Sequence, residues 1–285
     1  MHRSGTSLAA AMLASLGVYV DPRMPPPREG EVLMPPTPEQ RTAGYGEAEA
    51  FRLLNEHVMR LAGARWHHPE PFLLRRDRPM FSAVAVGFLR LAARGSLRRD
   101  FLTHAPPDCM GAWGWKDPRT SLTWPLWRRV FPDACVLHVC RDTAAVARSV
   151  LRREQIRAIS PPPLPTAGAR AAELLRDPEA ALRHVARRIS ALVVRTSPAP
   201  SLDTERCAHL QRLHVEQASA ARDVVPHYME VAYEDILCRP EDAARRLARF
   251  AGLEPESWRV AQAVALVQDG APSAAQRHRP AAGSA

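Results

Sequence analysis

Apolar and charged positions alternate most sharply between Trp113 and Glu154. Trp113-Gly114-Trp115 runs directly into Lys116, Asp117 and Pro118. Ala134 to Cys140 is then, His138 apart, an apolar run with the length of a buried parallel strand. It stops at Arg141, and Asp142 can cap a helix that begins at Thr143. Upstream, Leu8 to Leu16 has helical spacing with Gly17 as its C-cap, and residues 82–94 read as a buried helix despite Gly87. Phe51, Leu54, Val58 and Leu61 fall on one face of a further helix, with Glu47 in its first turn. Downstream, residues 173–195 carry helical spacing (Leu174, Leu182, Val185, Ile189, Leu192), and another helix is expected over Glu205–Arg222. His227 to Ala232 reads as a strand, and Pro240 opens a helix that Gly252 closes. The pattern predicts an α/β fold, a parallel sheet with helices on both faces.

Proline-rich breaks interrupt this pattern without dividing it. Residues 21–42 form one such loop, expected near the mouth of a site, and an insertion over about 156–205 is a second. The tail over about 270–285 reads as flexible and solvated, and no internal repeat is visible. The whole of 1–285 is expected to be a single domain, long enough to bury a substantial core.

Charge changes the picture only slightly. A net charge of +9 and a pI near 10.1 invite a nucleic-acid reading. The arginines are scattered, however, in pairs such as Arg75-Arg76, Arg98-Arg99, Arg128-Arg129 and Arg187-Arg188, with no aromatic-interleaved basic block. So diffuse a charge favours acidic substrates or cofactors, not a specific nucleic acid. Lys116 is the only lysine among 39 basic residues. Where arginine has replaced lysine everywhere else, a surviving lysine suggests a need for a compact ammonium. Five cysteines show no C-x-x-C pair and no zinc-finger histidine spacing, so they read as buried free thiols in a reducing, cytoplasmic setting, with no structural metal. No segment approaches the roughly 18 uninterrupted apolar residues that would span a bilayer.

The first twenty residues admit two readings, a signal peptide or a phosphate-binding loop. Gly5 and Thr6 interrupt the apolar core that a signal peptide needs, and no clear small-residue cleavage site follows Val20. In the loop reading, Gly5 lets the backbone approach an anion, and the N–H groups of Thr6 and Ser7 open a helix whose dipole favours negative charge. The Walker A pattern is absent, and Arg3 precedes the glycine. Ligands of open α/β sheets sit beyond the carboxyl ends of the strands, so Lys116 and Arg141 would face one anion-binding crevice.

Together, R-S-G-T-S at 3–7, W-K-D-P-R at 115–119, and Arg141 with Ser149 eight residues on resemble the sulfotransferase family that uses 3′-phosphoadenosine 5′-phosphosulfate. The resemblance covers most of 1–155 and, more loosely, 209–253. It implies a P-loop-type parallel sheet, that phosphosulfate as co-substrate, no metal, and a small-molecule or glycan acceptor with a hydroxyl. Arg3, Ser4, Gly5, Thr6 and Ser7 would hold the 5′-phosphosulfate, Arg141 and Ser149 the 3′-phosphate, and Tyr233 would lie against the adenine. Lys116 would neutralise the leaving group.

Three positions depart from the family's pattern. The family carries an apolar strand running into the glycine loop; here Met1 stands almost at the loop, so the sheet is expected to lack its first strand unless the true start lies upstream. Thr143 stands where proline is frequent, a mild change at a helix start. Pro118 stands where cytosolic members carry a histidine, so a general base must come from elsewhere. Glu47 is the first choice, with Asp117 and His57 behind it, and His67-His68 are expected at the surface or acceptor rim. A relic of the same fold that binds nucleotide without turnover, a P-loop phosphotransferase and a nucleic-acid binder are the alternatives.

Overall fold

A computed structural model of the chain describes residues 4–31, 46–106, 109, 111–159 and 202–270. Its elements begin with α1 (Thr6–Ser15), α2 (Glu49–Leu61), α3 (Glu70–Arg76), α4 (Pro79–Arg94), α5 (Ser96–Thr103) and α6 (Thr120–Val130). There follow β1 (Val136–Cys140), α7 (Thr143–Ile159), α8 (Thr204–Ser219), β2 (Tyr228–Ala232), α9 (Tyr233–Cys238), α10 (Pro240–Phe250) and α11 (Ser257–Gly270). The helical pattern expected over 173–195 lies outside the described residues.

β1 and β2 pair in parallel, with His138 opposite Glu230 and Cys140 opposite Ala232. Side chains alternate along a strand, so Leu137, Val139, Met229 and Val231 share one face. That face packs with Met12, Leu16, Leu247, Val260 and Leu266 from α1, α10 and α11. α1 is apolar nearly all round because it is buried nearly all round. On the other face Val136 and Tyr228 meet Trp124 of α6 and Val225. The result is a small parallel sheet flanked by helices.

A second parallel contact stands apart from this pair. The Tyr19 N–H donates to the Ala112 carbonyl (2.9 Å) and the Gly114 N–H to the Tyr19 carbonyl (2.9 Å), so Trp113-Gly114-Trp115 runs beside Val18–Val20. Phe51 of α2 stacks on Trp115, centroids 4.5 Å apart and planes 5° from parallel, inside a core that includes Phe72, Leu89, Leu122 and Trp127.

Several expectations need correction. α4 is not a buried helix: Ala85, Val86, Leu89 and Ala93 face inward, while Met80, Val84 and Leu91 stay exposed. Its packing is one-sided, on α3, α5 and α6. With α5 it forms the stretch Pro79–Thr103, long and apolar enough by length and composition to cross a membrane, a test that core helices also pass. Leu61 closes α2 exposed, because the helix ends there and turns through Ala62 and Gly63. Cys135 and Cys238 are exposed and Cys109 and Cys140 half-buried; only Cys207 of α8, packed against α7, is buried.

Candidate active site

The chain enters α1 through Gly5, whose φ of 90° is a left-handed conformation that side chains disfavour. Its carbonyl accepts from Leu8 (3.0 Å) and Ala9 (3.2 Å), starting the helix. A helix start of this kind aims its first N–H groups outward along the axis. Ser4 is buried, and Thr6 and Ser7 are half-buried around the turn. Arg3 lies outside the described residues.

Tyr233 presses on this turn. A Cβ built at Gly5 would lie 2.2 Å from Tyr233 Cδ2, so only glycine permits the approach. The Arg141 guanidinium lies over the same ring, its carbon 4.4 Å from the centroid, within cation–π range. Arg141 emerges from the carboxyl end of β1, and Tyr233 follows β2. Gly5, Tyr233 and Arg141, read separately from the sequence, are thus in one place. Asp142 caps α7 as expected, accepting from the Ala145 N–H at 2.7 Å, and Ser149 sits half-buried further along that helix.

Further along α1, Ala10 leads to the second group. A Cβ at Gly46 would lie 3.6 Å from Ala10 Cβ and 3.9 Å from Lys116 Cε. Five residues of helix rise separate Gly5 from Ala10, about 7–8 Å along the axis. Lys116 ends the Trp113–Trp115 segment and places Nζ 3.2 Å from Glu47 Oε1, both side chains only 11% exposed. Burial pushes the Lys116 ammonium below its usual range, partly offset by Glu47. Glu47 sits just before α2, two residues ahead of its first residue Glu49, and not in its first turn. Arg23 fixes it there, donating to the Glu47 carbonyl (2.6 Å) while gripping Asp21 through Nε (3.1 Å) and Nη2 (2.8 Å).

Asp117, next in the chain, faces elsewhere. It accepts from Asn55 Nδ2 (2.8 Å), Arg119 Nη1 (2.8 Å) and the Arg119 N–H (3.2 Å), the last closing an Asx turn that starts α6. Burial raises its carboxyl, and the Arg119 guanidinium pulls it back. The Asn55 carbonyl in turn accepts from Thr123 Oγ1 and Trp127 Nε1, both at 2.7 Å. Of the alternative bases, Asp117 is therefore fully engaged in structure. His57 holds its Nδ1 3.3 Å from the Leu53 carbonyl, within its own helix. His68 is exposed as expected, but His67 is buried, and burial pushes its imidazole below the usual range.

Arg119, Asn55 and the Asp21–Arg23 unit escaped the sequence reading. The i, i+2 spacing of Asp117 and Arg119 was the available signal for the first. Asn55 carried no local signal, since the partners of its carbonyl come from α6.

Comparison with known proteins adds one finding. A family model described as "Sulfotransferase family" matches residues 1–161, more than half of the 285. No curated protein and no solved structure matches the chain.

Proposed function

The chain belongs to the sulfotransferase family, and from that premise we propose that it moves a sulfuryl group from 3′-phosphoadenosine 5′-phosphosulfate to an acceptor hydroxyl, a carbohydrate's in the first instance, in the cytoplasm. One observation carries the choice of donor: Tyr233 touches both the Gly5 turn and the Arg141 guanidinium. Two phosphate grips gathered at one aromatic ring suit an adenosine phosphorylated at both ends. In this reading the fold is of P-loop type. Arg3 and the Ser4–Ser7 turn hold the 5′-phosphosulfate, Arg141 and Ser149 the 3′-phosphate, and Tyr233 the base.

The acceptor oxygen attacks sulfur as the bond from sulfur to the bridging oxygen breaks, and that electron pair stays on the bridging oxygen of the departing bisphosphate. Lys116 neutralises the charge growing there. Glu47 takes the proton of the incoming hydroxyl. Its 3.2 Å contact with Lys116 supports this assignment by holding base and cation within reach of one sulfuryl group, whose entering and leaving oxygens they would serve from opposite ends.

Thermal shift with adenosine 3′,5′-bisphosphate, with ATP and magnesium, and with duplex DNA in parallel tests the donor. Stabilisation by the bisphosphate alone is expected; stabilisation by ATP or DNA alone would overturn the reading. Transfer of radiolabelled sulfate to a carbohydrate, phenol and tyrosyl-peptide panel then separates an enzyme from a relic that only binds.

A further inference from the structure

The polar face of the sheet plays no part in this chemistry. His138 and Cys140 alternate onto it from β1, and Glu230, opposite His138, joins them from β2. One donor atom from each lies within 4.8 Å of the others. His138 Nδ1 is 3.4 Å from Glu230 Oε2 and 3.8 Å from Cys140 Sγ. Bond lengths in a tetrahedral zinc site set N–O and N–S ligand separations of about 3.3–3.6 Å, so the three side chains need only small shifts to share an ion.

We propose that His138, Cys140 and Glu230 bind a borderline-soft divalent cation, zinc in the first instance, and so clamp β1 to β2. The donor set argues for that class: one thiol, one imidazole and one carboxylate suit zinc and cobalt, whereas magnesium and calcium want oxygen alone. Two neighbours bear on the site. Tyr228 Oη lies 2.8 Å from His138 Nδ1 and donates to Glu230 Oε2 at 2.9 Å, close enough to become the fourth donor or to yield that position to water. Arg222 donates to the same Glu230 oxygen at 2.7 Å, but its side chain is 57% exposed and can withdraw into solvent.

Metal binding forms the bonds to sulfur, nitrogen and oxygen and releases the Cys140 proton to solvent. Without an ion, burial and the adjacent Glu230 charge push the Cys140 thiol up to about 12. The cation supplies the opposite field. The clamp stands one residue before Arg141, so it would also stiffen the strand end that carries that guanidinium.

Cobalt(II) titration of the full, reduced chain tests the site. A near-ultraviolet thiolate-to-cobalt band with four-coordinate visible bands is expected, saturating at one equivalent and displaced by zinc. Cys140→Ser should lose the near-ultraviolet band, whereas Cys135→Ser and Cys238→Ser, at the exposed thiols, should keep it. Zinc should raise Tm in the parent chain and not in Cys140→Ser. No such band, or one that survives Cys140→Ser, would overturn the site. If Cys140→Ser does not fold, Glu230→Gln decides instead: unchanged cobalt affinity there would overturn it as well. None of these readouts depends on sulfuryl transfer.

Discussion

Lys116 and Asp117 are consecutive in the chain and belong to opposite kinds of ion pair. Asp117 is wholly enclosed and receives three hydrogen bonds, and the Asn55 that serves it is itself saturated by Thr123 and Trp127. Lys116 has Glu47 as its acidic partner at 3.2 Å, and burial works against its charge. One pair is a lock that positions α6 against α2. The other is under-satisfied and holds its charge at some cost, which is how a site keeps a cation ready for charge that develops later. If so, the two neighbours should fail differently when removed.

The largest effect is expected from Asp117→Ala. It leaves the Arg119 guanidinium, 11% exposed, without its carboxylate, and Asn55 Nδ2 with only Thr120 Oγ1 to donate to. Breaking a buried pair from one side costs about 3–5 kcal/mol, so Tm should fall by roughly 10 °C. A Tm within a couple of degrees of the parent would mean that the lock is no lock.

Lys116→Ala should weigh the other way. It strands Glu47, so the same one-sided rule costs some stability, but less, because this pair rests on one hydrogen bond where Asp117 receives three. Tm should fall by less than in Asp117→Ala, while kcat falls about 10²–10³-fold, the scale for losing a preorganised group at a developing anion. Glu47→Gln should abolish turnover with bisphosphate binding intact. Retained turnover there would dismiss Glu47 as the base and leave the 3.2 Å contact a structural one.

Which parts of this comparison could be read from the sequence follows from how local their signals are. Gly5, Arg141 and the Asp142 cap are set by spacing within a few residues, and the structure has a left-handed turn, a strand end and a helix cap at those positions. Glu47 was chosen from the family resemblance once Pro118 stood in place of a histidine, and its position slipped because Ala48 and Glu49, not Glu47, begin α2. Asn55 was illegible: flanked by Leu54 and Glu56, it looks like a residue at the edge of an amphipathic face, and only α6 folding back gives it work. His138 and Glu230 were equally illegible, because a parallel register joins residues about ninety positions apart, and sequence periodicity carries no register between distant strands. Cysteine burial failed for a related reason, since Cys135 and Cys238 lie at the ends of their elements, where an apolar run meets solvent.

Lys116→Arg gives a smaller and sharper test. It keeps the charge and changes only its shape, a planar fork in place of a compact ammonium, wedged beside Gly46 and Ala10. A rate loss of about tenfold, or about 1.4 kcal/mol of transition-state stabilisation, is expected, with Tm nearly unchanged. An unimpaired Arg variant would make the chain's lone lysine an accident.

The smallest effect concerns the back of the lock and appears only with pH. His214 of α8 is buried, with Nδ1 2.6 Å from Ser121 Oγ and Nε2 without a hydrogen-bond partner among the described residues. Ser121 donates to the Pro118 carbonyl at 2.7 Å, so the ring donates to Ser121 from Nδ1. Burial holds the imidazole well below its usual range, and the nearby Arg119 adds to this. The sign follows directly. Above about pH 6.5 neither the folded nor the unfolded chain carries a proton on this ring, and stability is at its full value. As pH falls below that, the unfolded chain takes a proton that the folded chain refuses, and stability drops by up to about 1.4 kcal/mol per pH unit. Burial lowers His67 and His138 in the same direction, so the parent chain should weaken steadily in acid. His214→Asn removes one titrating group behind the Asp117–Arg119 pair and leaves Lys116 and Glu47 untouched. Denaturant melts at pH 7.5, 6.5 and 5.5 should therefore show a shallower acid slope in the variant, with the slope difference near the one-proton value. Parallel slopes would mean that His214 titrates normally, and the wall behind the lock would then be open to water.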